Sequence, residues 1–364
     1  MRERFLEFLA CPDCGSDLAL GIVRKREGDD VVAGDLACRG CRRRYAVENR
    51  IAQFVERTGY ADSFGWQWQR FHRLQRDSYN GTQIVRNTIL SRSGWKREDL
   101  AGKLVLECGC GSGNDTEVLA ELAGGLVSLD LSAAVDAMAP EVLRRENVLV
   151  LRADLRRAPL KPERFDVVYC HRVIQHTPDP HAAFQAMARH VRPGGTFFLH
   201  SYDTHWRSLL HYRYWLRPLL RPLPHTAVYR LLRAVGPLLH PLAGLLQRLP
   251  LLRRAGRLLV PFENHSRRLR KAGARLTRRE RYEYSLLVTF DAVTPRHDRP
   301  SSPARVRRWF EEAGFEQIAI RRRNPLLATA VRPAEPRSRQ LRPPPEPAGA
   351  AGPCGTPGTS AGRT

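Results

Sequence analysis

Between residues 102 and 202, short runs of β-branched residues and leucine alternate with stretches whose apolar positions recur every three or four residues. The runs predict strands buried on both faces and the periodic stretches predict amphipathic helices. Their alternation predicts βα units around a parallel sheet. Strands are expected at Lys103–Gly109, Gly125–Leu131, Asn147–Asp154, Phe165–His171 and Gly195–Ser201, with helices at Asn114–Ala123, Ser132–Arg145 and Pro180–Val191. The pattern resumes with a helix at Ser302–Phe315 and two closing strands, Glu316–Arg322 and Pro325–Arg332. Residues 203–290 are Leu-rich, basic and interrupted by Pro, which predicts a set of short helices. The domain reading is therefore 1–57, an aromatic connector at 58–101, an α/β domain at 102–202 and 291–333, and an insertion at 203–290. The Pro-, Ala- and Gly-rich residues 334–364 cannot bury enough apolar area and are expected to be disordered.

Four of the eight cysteines change the picture of the first region. Cys11-Pro-Asp-Cys14 and Cys38-Arg-Gly-Cys41 are two knuckles that bring four thiolates onto one tetrahedral ion, a closed, structural zinc site. Two such pairs do not suit a redox dithiol, and their clustering fits a reducing cytoplasm better than a secreted disulfide scaffold. The segment is too short to fold on a core of its own, so the metal would supply much of its stability.

Charge adds less. The formal net charge of +23 is nearly all Arg spread along the chain, which compositional bias explains as readily as a polyanionic partner. No apolar run reaches the length of a membrane span, and the N-terminus does not read as a secretory signal. The expected location is cytoplasmic, with a peripheral membrane contact as a variant.

The candidate chemistry lies in Leu104-Val-Leu-Glu107-Cys-Gly109-Cys-Gly111-Ser-Gly113. Alternating glycines after a strand let the backbone turn sharply and a ligand lie against it. An acid at Glu107 would repel a pyrophosphate but attract the cationic amino end of a methionine moiety. Asp130 ends the next strand, placed to accept ribose hydroxyls, and Asp154 ends the third, placed for an adenine amino group, with Leu131 and Leu155 beside them. The set points to S-adenosylmethionine, with a nicotinamide nucleotide as the alternative.

From residue 58 to 331 the sequence resembles the class I S-adenosylmethionine-dependent methyltransferases. VLECGCGSGN is similar to their first motif, with Glu107 where Asp is commoner and Cys108 where an aliphatic residue is usual. FDVVYCHRVIQHTPDP and VRPGGTFFLHSY are similar to the motifs around strands four and five. The resemblance implies a doubly wound, Rossmann-like sheet of seven strands in the order 3-2-1-4-5-7-6. Residues 1–57, including YAVENRIAQFV, resemble the small zinc-binding activator proteins that partner certain tRNA and protein methyltransferases; fusion of the two recurs in bacteria.

Ligands of open α/β sheets bind at the C-terminal strand ends, which makes Cys170, His171 and His176 the best-placed polar groups, with Tyr202 behind them. His171 and His176 are the candidate bases and Cys170 a candidate cofactor contact. The plainer alternatives are that His176 caps a turn and Cys170 packs the core. Tyr60, Phe64, Trp66 and Trp68 either close over the cofactor or pack a helix on the sheet. Residues 203–262 read as a cap over the pocket, a dimer contact or a set of interfacial membrane helices. The leading function is methyl transfer to oxygen or carbon of a small or lipid-like acceptor. An RNA methyltransferase and a non-catalytic cofactor-binding adaptor are the alternatives; the Leu-rich basic stretch lacks the stacking groups of an RNA surface. Oligomeric state is not legible in the sequence.

Overall fold

The computed structural model describes residues 1–55, 60–204, 211–249, 260–323 and 325–334. The Pro-rich tail, apart from Ala334, lies outside the described residues, as do 250–259 of the basic stretch.

Four strands belong to the cysteine-bearing region: β1 (Leu18–Glu27), β2 (Asp30–Cys38), β3 (Arg44–Glu48) and β4 (Ile51–Gln53). Three helices follow, α1 (Asp62–Phe71), α2 (Asp77–Asn80) and α3 (Ile84–Ser93). The βα alternation then brings β5 (Leu104–Cys108), α4 (Asn114–Leu122), β6 (Gly125–Asp130), α5 (Pro140–Leu143), β7 (Val148–Arg152), β8 (Phe165–His171), α6 (Pro180–Ala188) and β9 (Val191–Ser201). After the insertion come α11 (Pro303–Glu312), β10 (Glu316–Arg323) and β11 (Leu326–Val331).

All the strands join one sheet in the order β1-β2-β3-β4-β7-β6-β5-β8-β9-β11-β10. The expected seven-stranded sheet is thus extended to eleven, because the N-terminal region is not a separate bead. Its last strand, β4, pairs in parallel with β7 through Ala52–Leu151 and Gln53–Arg152, and Phe54 N–H donates to the Arg152 carbonyl. Pairing hides an edge that would otherwise present free backbone groups. Arg2 also donates to the Arg145 carbonyl, and Ala10 N–H to the Pro159 carbonyl.

Two elements differ from the sequence reading. Ser132–Arg145 is not one helix: a short 3₁₀ turn, Ala133–Ala137, gives way to extended Met138 and Ala139 before α5. Pro140 disfavours the helical conformation of the residue before it, and Ala139 sits at ψ 134°. In the insertion, α7 (Tyr212–Leu220) is followed by a single long helix, α8 (His225–Leu246), which continues through Pro237 and Pro241. Both prolines lie on the exposed side, where the carbonyls they leave unbonded can be solvated.

The insertion is completed by α9 (Ser266–Lys271) and α10 (Arg278–Val293), the latter opened by a Thr277/Glu280 capping box and running across the expected boundary at 290. These helices share a core with the connector: Phe71 and Leu74 pack with Val228, Leu232, Leu286 and Phe290. Connector and insertion therefore form one helical layer over the C-terminal strand ends. The parallel strands β5 to β8 are buried on both faces, as their unbroken apolar runs require.

Candidate active site

β5 delivers the chain into a loop where Gly109, Gly111 and Gly113 have φ of +86°, +54° and +88°. A Cβ at Gly109 would lie 2.2 Å from Val173, and one at Gly113 would lie 2.9 Å from Met138. Glycine is needed here for both conformation and space. The loop forms the floor of a cavity of about 260 Å³. Glu107, Asp130, Leu131 and Leu155 line its sheet side; Tyr60, Phe64 and Trp68 line its connector side.

The acids expected there divide. Glu107 is buried and accepts hydrogen bonds from Thr116 Oγ1 (2.8 Å) and Ser128 Oγ (2.7 Å). Burial, reinforced by the nearby Asp115 carboxylate, pushes its pKa up to about 8. Asp130 Oδ2 accepts from Gly111 N–H (2.9 Å), while Oδ1 takes both the N–H and the hydroxyl of Ser132. With about two acceptor sites per oxygen, Oδ2 keeps one free. That allows one ribose hydroxyl, where the sequence suggested two. Asp154 does not line the cavity: it caps Arg156 N–H and holds the Arg156 guanidinium at 2.6 Å. Cys170 is fully buried in the core on the other face of β8, and burial pushes its thiol up to about 12. Side chains alternate along a strand, so Cys170 cannot share a face with His171.

His171 and His176 both line the cavity, with different hydrogen-bond partners. His171 Nδ1 lies 2.5 Å from Asp115 Oδ2, and its Nε2 lies 2.9 Å from Arg92 NH1. Burial lowers its pKa, against the pull of Asp115, so the ring is neutral: Nδ1–H donates to Asp115 and Nε2 accepts from Arg92. Asp115 also accepts from Tyr169 (2.9 Å). Both His171 nitrogens are therefore engaged. His176 is different. Its Nδ1 donates to the His297 carbonyl (2.9 Å), which leaves the Nε2 lone pair available, and burial again lowers its pKa. Phe64 and Tyr202 pack against the His176 ring at 5.0 and 5.6 Å.

Of the connector aromatics, Tyr60, Phe64 and Trp68 face the cavity, whereas Trp66 stacks on Phe290 at 4.9 Å inside the helical layer. The insertion contributes Arg268, Tyr284, Leu287, Val288 and Asp291, and Gln67 donates to Asp291 (3.0 Å). None of these was singled out from sequence, nor were Asp115 and Arg92. Asp115 follows the glycine loop directly and could have been found. The Thr277/Glu280 capping box marks α10 but says nothing of which face meets the pocket.

At the far end of the sheet, the Sγ atoms of Cys11, Cys14, Cys38 and Cys41 lie within 4.8 Å of one another. Cys11–Cys41 and Cys14–Cys38 are 3.7 and 3.4 Å apart, against about 3.8 Å for the edge of a tetrahedron with 2.3 Å Zn–S bonds. Gly40 N–H points at Cys38 Sγ (3.3 Å), as a thiolate ligand favours. The cluster fits a structural zinc ion with no open position.

Residues 106–199 match the family described as methyltransferase domain, and residues 2–49 match the Trm112p-like proteins. The chain thus carries a methyltransferase domain at 106–199 behind a Trm112p-like segment at 2–49. The methyltransferase domain is similar to the ubiquinone biosynthesis O-methyltransferase of Pseudomonas fluorescens (strain SBW25), with 36% identity over 106 residues, 28% of this chain and 46% of that protein. The enzyme of the same description from Methylococcus capsulatus is 35% identical over 102 residues, 27% of this chain and 43% of that protein. The match thus spans under half the length of these curated relatives. Among solved structures, a complex between the Haloferax volcanii Trm112 methyltransferase activator and a putative methyltransferase aligns at 17% identity and a TM-score of 0.42, covering 75% of this chain and 98% of that one. Magnesium protoporphyrin IX methyltransferase from Synechocystis PCC 6803, with bound S-adenosylhomocysteine, aligns at 17% identity and a TM-score of 0.37, covering 75% and 96%. S-adenosylmethionine suits the loop of the methyltransferase domain, where a Cβ at Gly109 would lie 2.2 Å from Val173 and one at Gly111 3.3 Å from Trp68, both cavity-lining residues.

Proposed function

We propose that this chain transfers the methyl group of S-adenosylmethionine to a hydroxyl oxygen of a small acceptor with an apolar or aromatic body. His176 acts as general base. The observation that carries this reading is the hydrogen bond of His176 Nδ1 to the His297 carbonyl, which leaves the Nε2 lone pair of a cavity-lining residue free to take a proton. The O-methyltransferase relatives favour oxygen over carbon as the atom methylated.

S-adenosylmethionine, when bound, supplies an electrophilic methyl group on a sulfonium. The protein does the rest by positioning. The glycine loop takes the cofactor's backbone-facing side, Asp130 Oδ2 accepts a ribose hydroxyl, and Glu107 faces the methionine ammonium. Leu155, rather than Asp154, covers the adenine; Asp154 joins the site only if Arg156 releases it. Tyr202, Tyr284, Leu287 and Val288 give the acceptor pocket its apolar walls, and with Phe64 and Trp68 they exclude water. Arg172 and Arg268 line the same cavity, and either cation would favour ionisation of a hydroxyl held beside it. His176 Nε2 takes that proton. His171, held between Asp115 and Arg92, orients this wall and does not itself exchange a proton.

A panel of catechols and simple phenols, assayed with S-adenosylmethionine by mass spectrometry, tests the reading. Mono-methylated product whose formation falls about 10²-fold or more in His176→Ala, with S-adenosylhomocysteine binding retained, is the expected result. Undiminished turnover in His176→Ala would remove the base, and turnover on thiols or amines alone would remove the hydroxyl.

A further inference from the structure

The outer surface of the helical layer is unlike the rest of the molecule. Among the described residues ten large apolar side chains are exposed, and all except Ile22 and Tyr79 lie between Trp215 and Leu249. On α8 they form a line. Leu231, Leu238, Leu242 and Leu245 fall within an arc of about 60° at 100° per residue, with Leu238 the most exposed at 74%. Leu249 continues it one turn further on. An adjoining arc of the same helix, carrying Val228, Leu232, Gly236 and Ala243, is the buried one. Gly236 admits Tyr282 so closely that a Cβ would lie 2.2 Å from its hydroxyl. The helix therefore already has its packing partner, and the leucine line is left over. Trp215 and Leu219, one turn apart on α7, add a second exposed apolar pair.

Charge identifies what would cover it. Residues 204–262 contain ten Arg and no Asp, Glu or Lys. Arg221, Arg230, Arg233 and Arg248 are exposed, and none lies within ion-pair distance of a carboxylate among the described residues. A second copy of the chain would bring the same cations against one another. At 100° per residue Arg230 and Arg248 fall about 60° from the edge of the leucine line, and Arg233 falls on the far side of the helix. An apolar line with arginines beside it, in a segment without acids, complements an interface of acyl chains and anionic headgroups. Among the described residues no helix is long and apolar enough to cross a membrane, so the contact would lie in the plane of the interface.

We propose that the outer face of α7 and α8 docks on an anionic lipid bilayer, with the leucine line in the acyl boundary and the flanking arginines at the headgroups. This contact does not depend on which acceptor is methylated. The same helical layer walls the acceptor pocket from its inner side through α10, so docking would hold that pocket beside the bilayer.

Vesicle co-sedimentation of the full chain tests it, with phosphatidylcholine alone against phosphatidylcholine containing a third phosphatidylglycerol. Binding to the anionic vesicles at low salt is expected, with weak binding to the neutral ones and loss in high salt. Leu238→Glu combined with Leu242→Glu should weaken vesicle binding at least tenfold while zinc content and S-adenosylhomocysteine affinity stay unchanged. Arg230→Gln with Arg248→Gln should flatten the salt dependence. Failure of the wild-type chain to bind anionic vesicles at low salt overturns the proposal. Equal vesicle binding by the leucine variant overturns it too. So does a dimer in vesicle-free solution that the leucine variant dissolves, which would assign the line to a second copy.

Discussion

Lowering the pH and replacing Glu107 by Gln should both change cofactor binding, because Glu107 ties that binding to a proton. The carboxyl is buried between Thr116 and Ser128, and burial pushes its pKa up to about 8. At pH 7 roughly nine-tenths of the free protein therefore carries it neutral. To face the ammonium of bound S-adenosylhomocysteine as a carboxylate it must ionise, which at pH 7 costs about 1.4 kcal/mol, a factor of about ten in affinity. The free state holds the proton and the complex does not, so binding releases it and tightens as pH rises. Affinity should climb about tenfold per unit from pH 6 and level near pH 8, where the ligand's own amino group begins to deprotonate. The assay is titration calorimetry in phosphate and in Tris at one pH. The slope of observed enthalpy against buffer protonation enthalpy should report roughly 0.9 proton released at pH 7. Glu107→Gln should abolish the slope. Tight wild-type binding with no buffer dependence would refute the reasoning.

Gly109→Ala must adopt φ +86° and place a Cβ 2.2 Å from Val173. Left-handed backbone costs about 1–2 kcal/mol and overpacking about 1–3, so S-adenosylhomocysteine affinity should fall by at least tenfold with zinc content intact; unchanged affinity would contradict the fit. Elemental analysis should find one zinc per chain, and chelation should lower the melting temperature, because the ribbon strand β4 completes the sheet edge at β7. An unchanged melting temperature in metal-free protein would contradict a structural role. His190, whose pKa burial lowers to about 4, binds a proton more readily unfolded than folded between pH 4 and 6.5. Its contribution to stability is complete above pH 6.5 and lost as pH falls, about 2 kcal/mol by pH 5. Urea titrations of the wild type and His190→Gln should show that loss shrinking in the variant.

Much of the α/β core was legible because parallel strands buried on both faces leave unbroken apolar runs, and the runs ending at Cys108 and Asp130 are strands within a residue or two. The glycine loop was legible for a similar reason: strain of this kind admits few other residues. What escaped depends on distance in the chain. The pairing of β4 with β7 leaves no local trace, and nothing near Pro237 says that α8 continues through it. Of the two readings open for Cys170, core packing is the one the strand's alternation favours, since it sends His171 to the cavity and its neighbour to the core. The two histidines looked alike in sequence. They are separated by Nε2, which accepts from Arg92 in His171, whereas His176 makes its ring hydrogen bond through Nδ1 to the His297 carbonyl.

The most direct measurement is calorimetric binding of S-adenosylmethionine and S-adenosylhomocysteine to the zinc-loaded chain, with Asp130→Ala as the control. Micromolar binding of both, lost in the variant while its fold and zinc content persist, is the result this account predicts. A folded, zinc-loaded chain that binds neither, or binds them equally well without Asp130, would contradict it.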